Sequence, residues 1–161
     1  MKEILDKLSS YNIFNYLLPG VIFVVIAKQY TTYNFIQEDI LTGGFLYYFI
    51  GMVISRFGSI IIEPLLKKMS FLKFEDYKKF ISASKKDEKI ELLSEVNNTY
   101  RTITSMLLLL FILKGYSSLE DRLTISNDTT YSILGGFLFI MFLFSYRKQT
   151  NYISKRIQAN N

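Results

Sequence analysis

The chain has 161 residues, of which half are hydrophobic, 16% are aromatic and 20% are charged, with a formal net charge of +5. Cysteine and histidine are absent, which excludes disulfides, zinc–thiolate sites, cysteine nucleophiles and histidine bases. So apolar a chain is not disordered. Its charges must be segregated from its apolar stretches, which is typical of a membrane protein.

Four apolar stretches predict one all-α domain, a polytopic membrane protein with four transmembrane helices. A spanning helix needs roughly 20 mostly apolar residues. The alternative, a soluble protein with buried helices, would leave too little polar face to cover these stretches. The predicted spans are residues 13–29, 40–64, 101–117 and 129–147.

The first stretch resembles a signal peptide only superficially. Pro19 and Gly20 interrupt its apolar run, and no A-x-A cleavage site follows. We therefore predict that it is retained as a span.

Basic residues lie almost entirely on one side of the predicted spans. Sixteen of the 19 lysines and arginines precede the first span, lie between the second and third spans or in the tail, or mark the adjoining span ends. By the positive-inside rule, both termini and the middle segment are expected in the cytoplasm. An even number of spans places both termini on the same side of a membrane, so four spans are consistent with two cytoplasmic termini.

Three segments are predicted outside the spans. Residues 1–12 form an amphipathic stretch expected as an interfacial helix on the inner leaflet. Residues 66–100 are expected as a cytoplasmic helical segment of two helices, with Ser84 as the N-cap of the second. No proline or glycine interrupts the chain from there into the third span, which predicts one long helix. Residues 148–161 are expected as a cytoplasmic tail.

No enzyme, cofactor site or metal site is predicted. The chain contains no HExxH, GxSxG, P-loop or GxGxxG motif. No aspartate lies within a predicted span, which disfavours an intramembrane aspartyl pair.

Polar residues within or at the edges of the spans are the first candidate site, because charged groups at membrane depth are costly and usually face protein or water. Arg56 and Glu63 are seven residues apart and are expected to share a helix face. Two interpretations remain: headgroup contacts or an ion pair between the second and third spans, and a charged ring at the inner mouth of a pore. The Pro19 region is either a kink packed on a neighbouring helix or a hinge facing a wet path. The pore or gate candidates are Asn12, Asn15, Pro19, Arg56, Glu63 and Arg101.

Small residues in the spans predict close helix packing, either within one subunit or between subunits. Three of them are spaced by four on the second span. The packing candidates are Gly44, Gly51, Ser55, Ser59, Gly135 and Gly136.

The middle segment is rich in lysine. Attraction to anionic lipid is one interpretation, and docking of a single-stranded polyanion against interleaved aromatic residues is the other. No duplex DNA binding is expected. The candidates for an anionic ligand or lipid are Lys67, Lys68, Lys73, Lys78, Lys79, Lys85, Lys86 and Lys89.

Two segments carry a resemblance to a known group of proteins: YNIFNYLLPGVIF at residues 11–23 and EKIELLSEVNNTYRT at residues 88–102. The chain resembles small four-span bacterial membrane proteins of antiphage defence, and its layout is similar to the membrane effector of Hailong-type systems. The resemblance implies a multi-pass protein of the bacterial inner membrane that forms a channel. It also implies control by a cytoplasmic nucleotidyltransferase or its oligonucleotide product.

Three functional hypotheses follow. The first is a homo-oligomeric channel or pore-forming effector, with a tetramer favoured, that dissipates the membrane potential when activated. The second is a non-conducting adaptor or sensor that anchors a cytoplasmic partner through residues 66–100. The third is a small transporter, which usually needs a carboxylate deeper in a span than Glu63.

Overall fold

The computed structural model describes residues 10–160, of which 84% are helical and none form a strand. Helix α1 covers residues 10–30 and α2 covers Ile40–Lys68. Helix α3 is Tyr77–Ser84, α4 is Lys89–Leu123 and α5 is Asn127–Asn160. The predicted all-α fold is confirmed. Most of the predicted interfacial helix, up to residue 9, lies outside the described residues.

Four of these helices, α1, α2, α4 and α5, are long and apolar enough to cross a membrane. The prediction of a polytopic membrane protein is therefore confirmed. At 1.5 Å per residue, the 35 residues of α4 extend about 52 Å, well beyond a hydrocarbon layer of roughly 30 Å. The 34-residue α5 is nearly as long and continues through the segment predicted as a tail.

The four long helices run alternately up and down, because contacts join the same ends of each. At one end, Glu63 of α2 contacts Arg101 of α4 and Lys148 of α5. We call this the basic end. At the other end, which we call the acidic end, Thr32 after α1 lies 3.1 Å from the Ser117 hydroxyl of α4.

Helices α1 and α2 approach each other closely enough for backbone contact. A Cβ atom on Gly20 would collide with the carbonyl oxygen of Tyr47, and one on Gly51 would collide with that of Tyr16. Tyr16, whose carbonyl faces Gly51, lies four residues before Gly20. Tyr47, whose carbonyl faces Gly20, lies four residues before Gly51. Small residues permit this approach in membrane helices, so the crossing of α1 and α2 depends on both glycines.

A short extramembrane layer covers the basic end. Ile81 of α3 is buried, and the ring of Tyr77 lies 6.1 Å from that of Tyr152 on α5. Helix α3 thus packs against the parts of α4 and α5 that extend beyond the span.

The predicted N-cap at Ser84 is wrong, because Ser84 is the last residue of α3. The backbone N–H of Lys89 instead donates to the Asp87 carboxylate at 3.0 Å. Asp87 lies closer to the start of α4 and is a stronger acceptor. The expected single long helix through the third span is present as α4.

Candidate functional site

A layer of polar side chains lies inside the bundle, between α1, α2 and α4. The hydroxyl of Thr102 is 2.8 Å from Asn15 Oδ1, 3.2 Å from Ser55 Oγ and 2.9 Å from the carbonyl oxygen of Asn98. The Asn15 amide nitrogen is 3.4 Å from Ser55 Oγ. We call Asn15, Ser55 and Thr102 the polar layer.

The polar layer lies at membrane depth and is closed to solvent. Asn15 and Thr102 are 0% exposed and Ser55 is 3% exposed. Ser55 is 15 residues along α2 from Ile40, or about 22 Å, which is within the hydrocarbon thickness. Three acceptors compete for the single hydroxyl proton of Thr102. The network therefore has more than one hydrogen-bonded arrangement.

A π turn precedes each proline in the described helices. Residues Ile13–Leu17 of α1 form the first, before Pro19, and Gly58–Ile62 of α2 form the second, before Pro64. A proline has no N–H and crowds the preceding turn, and a wider turn accommodates it. The sequence pointed to the first proline; the second was missed, although it ends the apolar run of α2.

The second π turn leaves a carbonyl without its usual backbone donor. Glu63 N–H donates to Gly58 instead of to Ser59, and Pro64 has no N–H to replace it. The ammonium of Lys148 takes this place, 2.6 Å from the Ser59 carbonyl oxygen and 2.7 Å from Ser59 Oγ. An irregular backbone in a membrane must find such a partner, and here a side chain of α5 supplies it.

A charged cluster lies about two helical turns from the polar layer, toward the basic end. The buried Glu63 carboxylate is 2.9 Å from Lys67 Nζ, 2.8 Å from Arg101 Nη1 and 3.8 Å from Lys148 Nζ. Three cations thus share one carboxylate, which joins α2, α4 and α5. The ion pair between the second and third spans, one of the two interpretations of the sequence, is present as Glu63–Arg101.

Arg101 carries a buried donor with no partner. Its Nε atom has no hydrogen-bond acceptor among residues 10–160. The same residue accepts a hydrogen bond from the Ser105 hydroxyl at its carbonyl oxygen, at 2.7 Å. A Cβ atom on Gly58 would collide with that hydroxyl, so α2 and α4 also pack tightly at this level.

The shared helix face predicted for Arg56 and Glu63 stays a prediction. Within residues 10–160, Arg56 is in none of the ion pairs of Glu63. The seven-residue spacing assumes an uninterrupted α-helix, and the π turn Gly58–Ile62 lies between the two residues. Asn12 is half-buried at the start of α1, whereas Asn15 and Pro19 are buried.

The packing candidates divide into two groups. Gly51 contacts the α1 backbone, Ser55 belongs to the polar layer and Ser59 binds Lys148. Nothing lies within 4 Å of a Cβ atom placed on Gly44, Gly135 or Gly136. Packing of these three against a second copy stays a prediction.

The candidate lysines all lie exposed at the basic end. Lys67 pairs with Glu63 and its ammonium stands 3.8 Å from the centre of the Phe74 ring. Lys79 pairs with Glu75 in an exposed ion pair of 3.2 Å. The full set is Lys67, Lys68, Lys73, Lys78, Lys79, Lys85, Lys86 and Lys89. These positions are accessible to an anionic ligand.

Sequence reasoning missed Thr102 and Lys148. A usable signal existed for the first, since Thr102 and Ser105 are polar residues three apart at the start of the third apolar run. Lys148 carried no such signal, because its partner is a carbonyl oxygen freed by a π turn on another helix.

The acidic end carries a separate hydrogen-bond network. The Tyr33 hydroxyl and the Thr130 hydroxyl both donate to the Glu120 carboxylate, and Tyr116 lies 2.9 Å from Thr130. Burial, and then the hydrogen bond to Glu120, raise the pKa of Tyr33. The network fastens the loop after α1 to α4 and α5.

No protein-family model, curated protein or solved structure gives a match to this chain. Among residues 10–160, no group of three or more acidic side chains is arranged to hold a metal ion. The polar layer and the charged cluster are the features on which the functional proposal rests.

Proposed function

We propose that this chain is the subunit of a homo-oligomeric channel of a bacterial inner membrane, which dissipates the membrane potential when activated in antiphage defence. The observation that carries the proposal is the polar layer, buried at membrane depth beside a π turn. Polar groups are costly at this depth and usually serve function, and π turns often mark functional sites.

The interior of a single chain favours an oligomer over a pore within one subunit. Asn15, Ser55 and Thr102 contact one another directly and none of them is more than 3% exposed. Only 11% of the most apolar window of α5 is buried within the chain. Lipid or further copies must cover the remainder, and a conducting path would need several copies around an axis, with a tetramer favoured.

The channel would open by exchanging hydrogen bonds. In the closed arrangement, the polar layer satisfies itself across α1, α2 and α4. Rotation of α1 at its π turn would expose Asn15 and Ser55 to water in a path between copies. The competing acceptors around the Thr102 proton keep the cost of this exchange low.

The basic end would receive the control signal. Its exposed lysines, with Phe71 and Phe74 exposed beside them, are suited to the phosphates and bases of a single-stranded oligonucleotide. A cytoplasmic nucleotidyltransferase would make this signal. Orientation with the basic end in the cytoplasm follows the positive-inside rule.

Recordings in planar bilayers test the proposal. Purified protein is expected to conduct ions, and short oligonucleotides are expected to change its conductance. The variant Asn15→Leu keeps the side-chain size and leaves Thr102 and Ser55 bonded to each other, but removes the amide that would hydrate the open path. Its open probability, and with it the total conductance, is expected to fall about tenfold, which corresponds to the free energy of one buried hydrogen bond.

Asn97→Leu is the matched control, because Asn97 is exposed on α4 at the basic end. It should conduct like the unaltered protein. Silence of the unaltered protein with and without oligonucleotides, together with harmless expression in bacteria, would refute the channel and favour the non-conducting adaptor. Equal losses in both variants would refute the role given to Asn15.

A further inference from the structure

Two surface grooves flank one ridge of α5 near the basic end. The first, of about 310 Å³, lies between α2 and α5 and is lined in part by Ile60 of α2. The second, of about 420 Å³, is an open surface lined by residues of α5 alone, on the other side of the ridge. Both share Phe144, Arg147 and Asn151, which are spaced by three and four and so form one face of α5. The ridge presents an aromatic ring, a guanidinium and an amide in that order.

The ridge lies where the apolar part of the bilayer should end. About 20 helical residues cross the hydrocarbon layer, and 20 residues counted from Asn127 end at Tyr146. The same count from Ile40 on α2 ends at Ser59. Tyr146 is 74% exposed, and exposed tyrosines are enriched at membrane interfaces. Arg147 therefore lies at headgroup depth, with Phe144 on the hydrocarbon side.

The surroundings of the ridge carry excess positive charge. Lys148 is already bound to Ser59 and shares Glu63 with two further cations. Within residues 10–160, the guanidinium of Arg147 has neither a hydrogen-bond partner nor an ion-pair partner. An anion supplied from outside the chain would complete this site.

We propose that the ridge binds the phosphate of an anionic phospholipid, with Arg147 and Asn151 donating to its oxygens and an acyl chain lying along Phe144 on the hydrocarbon side. A guanidinium matches phosphate geometry with two parallel hydrogen bonds. The apolar wall favours a lipid over a soluble phosphate, since it offers the acyl chain a surface. The excess of cations disfavours lipids whose headgroup carries its own cation.

This site is independent of ion conduction and of the lysine-rich segment between α2 and α4. A bound lipid would fill the groove beside Ser59 and Pro64, next to the π turn that Lys148 supports. The lipid would thus stabilise the contact between α2 and the extended half of α5.

Native mass spectrometry of the full chain in detergent tests the site, with equimolar phosphatidylglycerol and phosphatidylcholine as probes. The unaltered protein is expected to retain phosphatidylglycerol preferentially. Arg147→Gln should lower that retention about fivefold, as expected for the loss of one basic residue near anionic lipid, and Arg147→Lys should restore part of it. The exposure of Arg147 makes misfolding of these variants unexpected, and circular dichroism would verify their helix content.

Lys155→Gln is the matched control, since it removes one charge from an exposed position of the same helix outside both grooves. It should leave phosphatidylglycerol retention unchanged. Equal losses in Arg147→Gln and Lys155→Gln, or no preference in the unaltered protein, would overturn the site. Displacement of the lipid by excess glycerol phosphate would overturn the phospholipid assignment in favour of a soluble phosphate.

Discussion

Glu63 and Glu75 each form an ion pair with a lysine four residues later, yet their surroundings differ. The side chain of Glu63 is 8% exposed and contacts Arg101 and Lys148 as well, whereas that of Glu75 is 78% exposed. An exposed pair contributes little to stability. Removal of one member of a buried group leaves the other charges without compensation. The same Glu–Lys spacing is therefore expected to matter for stability at Glu63 and to contribute little at Glu75.

We expect Glu63→Gln to destabilise the bundle by about 3 kcal/mol, the lower end of the range for a broken buried pair, because Arg101 and Lys148 keep some solvent contact. Denaturant unfolding in detergent micelles measures this change. Glu75→Gln, the matched control, should leave the midpoint unaltered. A similar midpoint for both variants would show that the charged cluster contributes no more than an exposed pair.

The residues of the site show what a sequence can and cannot supply. Asn15, Glu63 and Arg101 could be identified because polar groups are conspicuous in apolar runs. Their partners could not all be identified, because the partner of a side chain depends on helix rotation. Lys148 binds a carbonyl oxygen that only the π turn before Pro64 makes available.

At the scale of helices, hydropathy was sufficient to place the four spans, since length and composition alone determine whether a helix can cross a bilayer. The rotation of each helix about its own axis could not be predicted from hydropathy in the same way. A regular period of 3.6 residues predicts a shared face for Arg56 and Glu63, and the intervening π turn alters the helix rotation on which that prediction depends. The helix start at Lys89 was misplaced for a local reason, because Asp87 competes better than Ser84 for the free N–H.

The crossing of α1 and α2 gives a test at this scale. Gly51→Ala is expected to destabilise the bundle by about 2 kcal/mol, within the usual range for overpacking, because the new Cβ collides with the Tyr16 carbonyl oxygen. Gly44→Ala on the same helix meets open space and should be neutral or slightly stabilising, since alanine favours a helix. Thermal unfolding in detergent compares the two. Equal midpoints would argue against backbone contact between α1 and α2.

At the scale of the whole molecule, charge and length are arranged along the same axis. The basic end carries the extended halves of α4 and α5, the small helix α3 and most of the lysines and arginines. The acidic end has short connections, residues 31–39 and 124–126, and the network around Glu120. A membrane potential that is negative inside would favour insertion with the basic end in the cytoplasm over the reverse orientation.

Cysteine labelling in intact bacterial cells measures this orientation, and the chain has no native cysteine to interfere. Asn34→Cys, in the exposed connection after α1, should react with a membrane-impermeant maleimide in intact cells. Lys86→Cys, exposed between α3 and α4, should react only after permeabilisation. Both variants lie in surface connections, so each is the other's control for expression and folding. The reverse labelling pattern would place the basic end outside, where an oligonucleotide made in the cytoplasm could not reach its lysines, and the proposed control of the channel would fail with it.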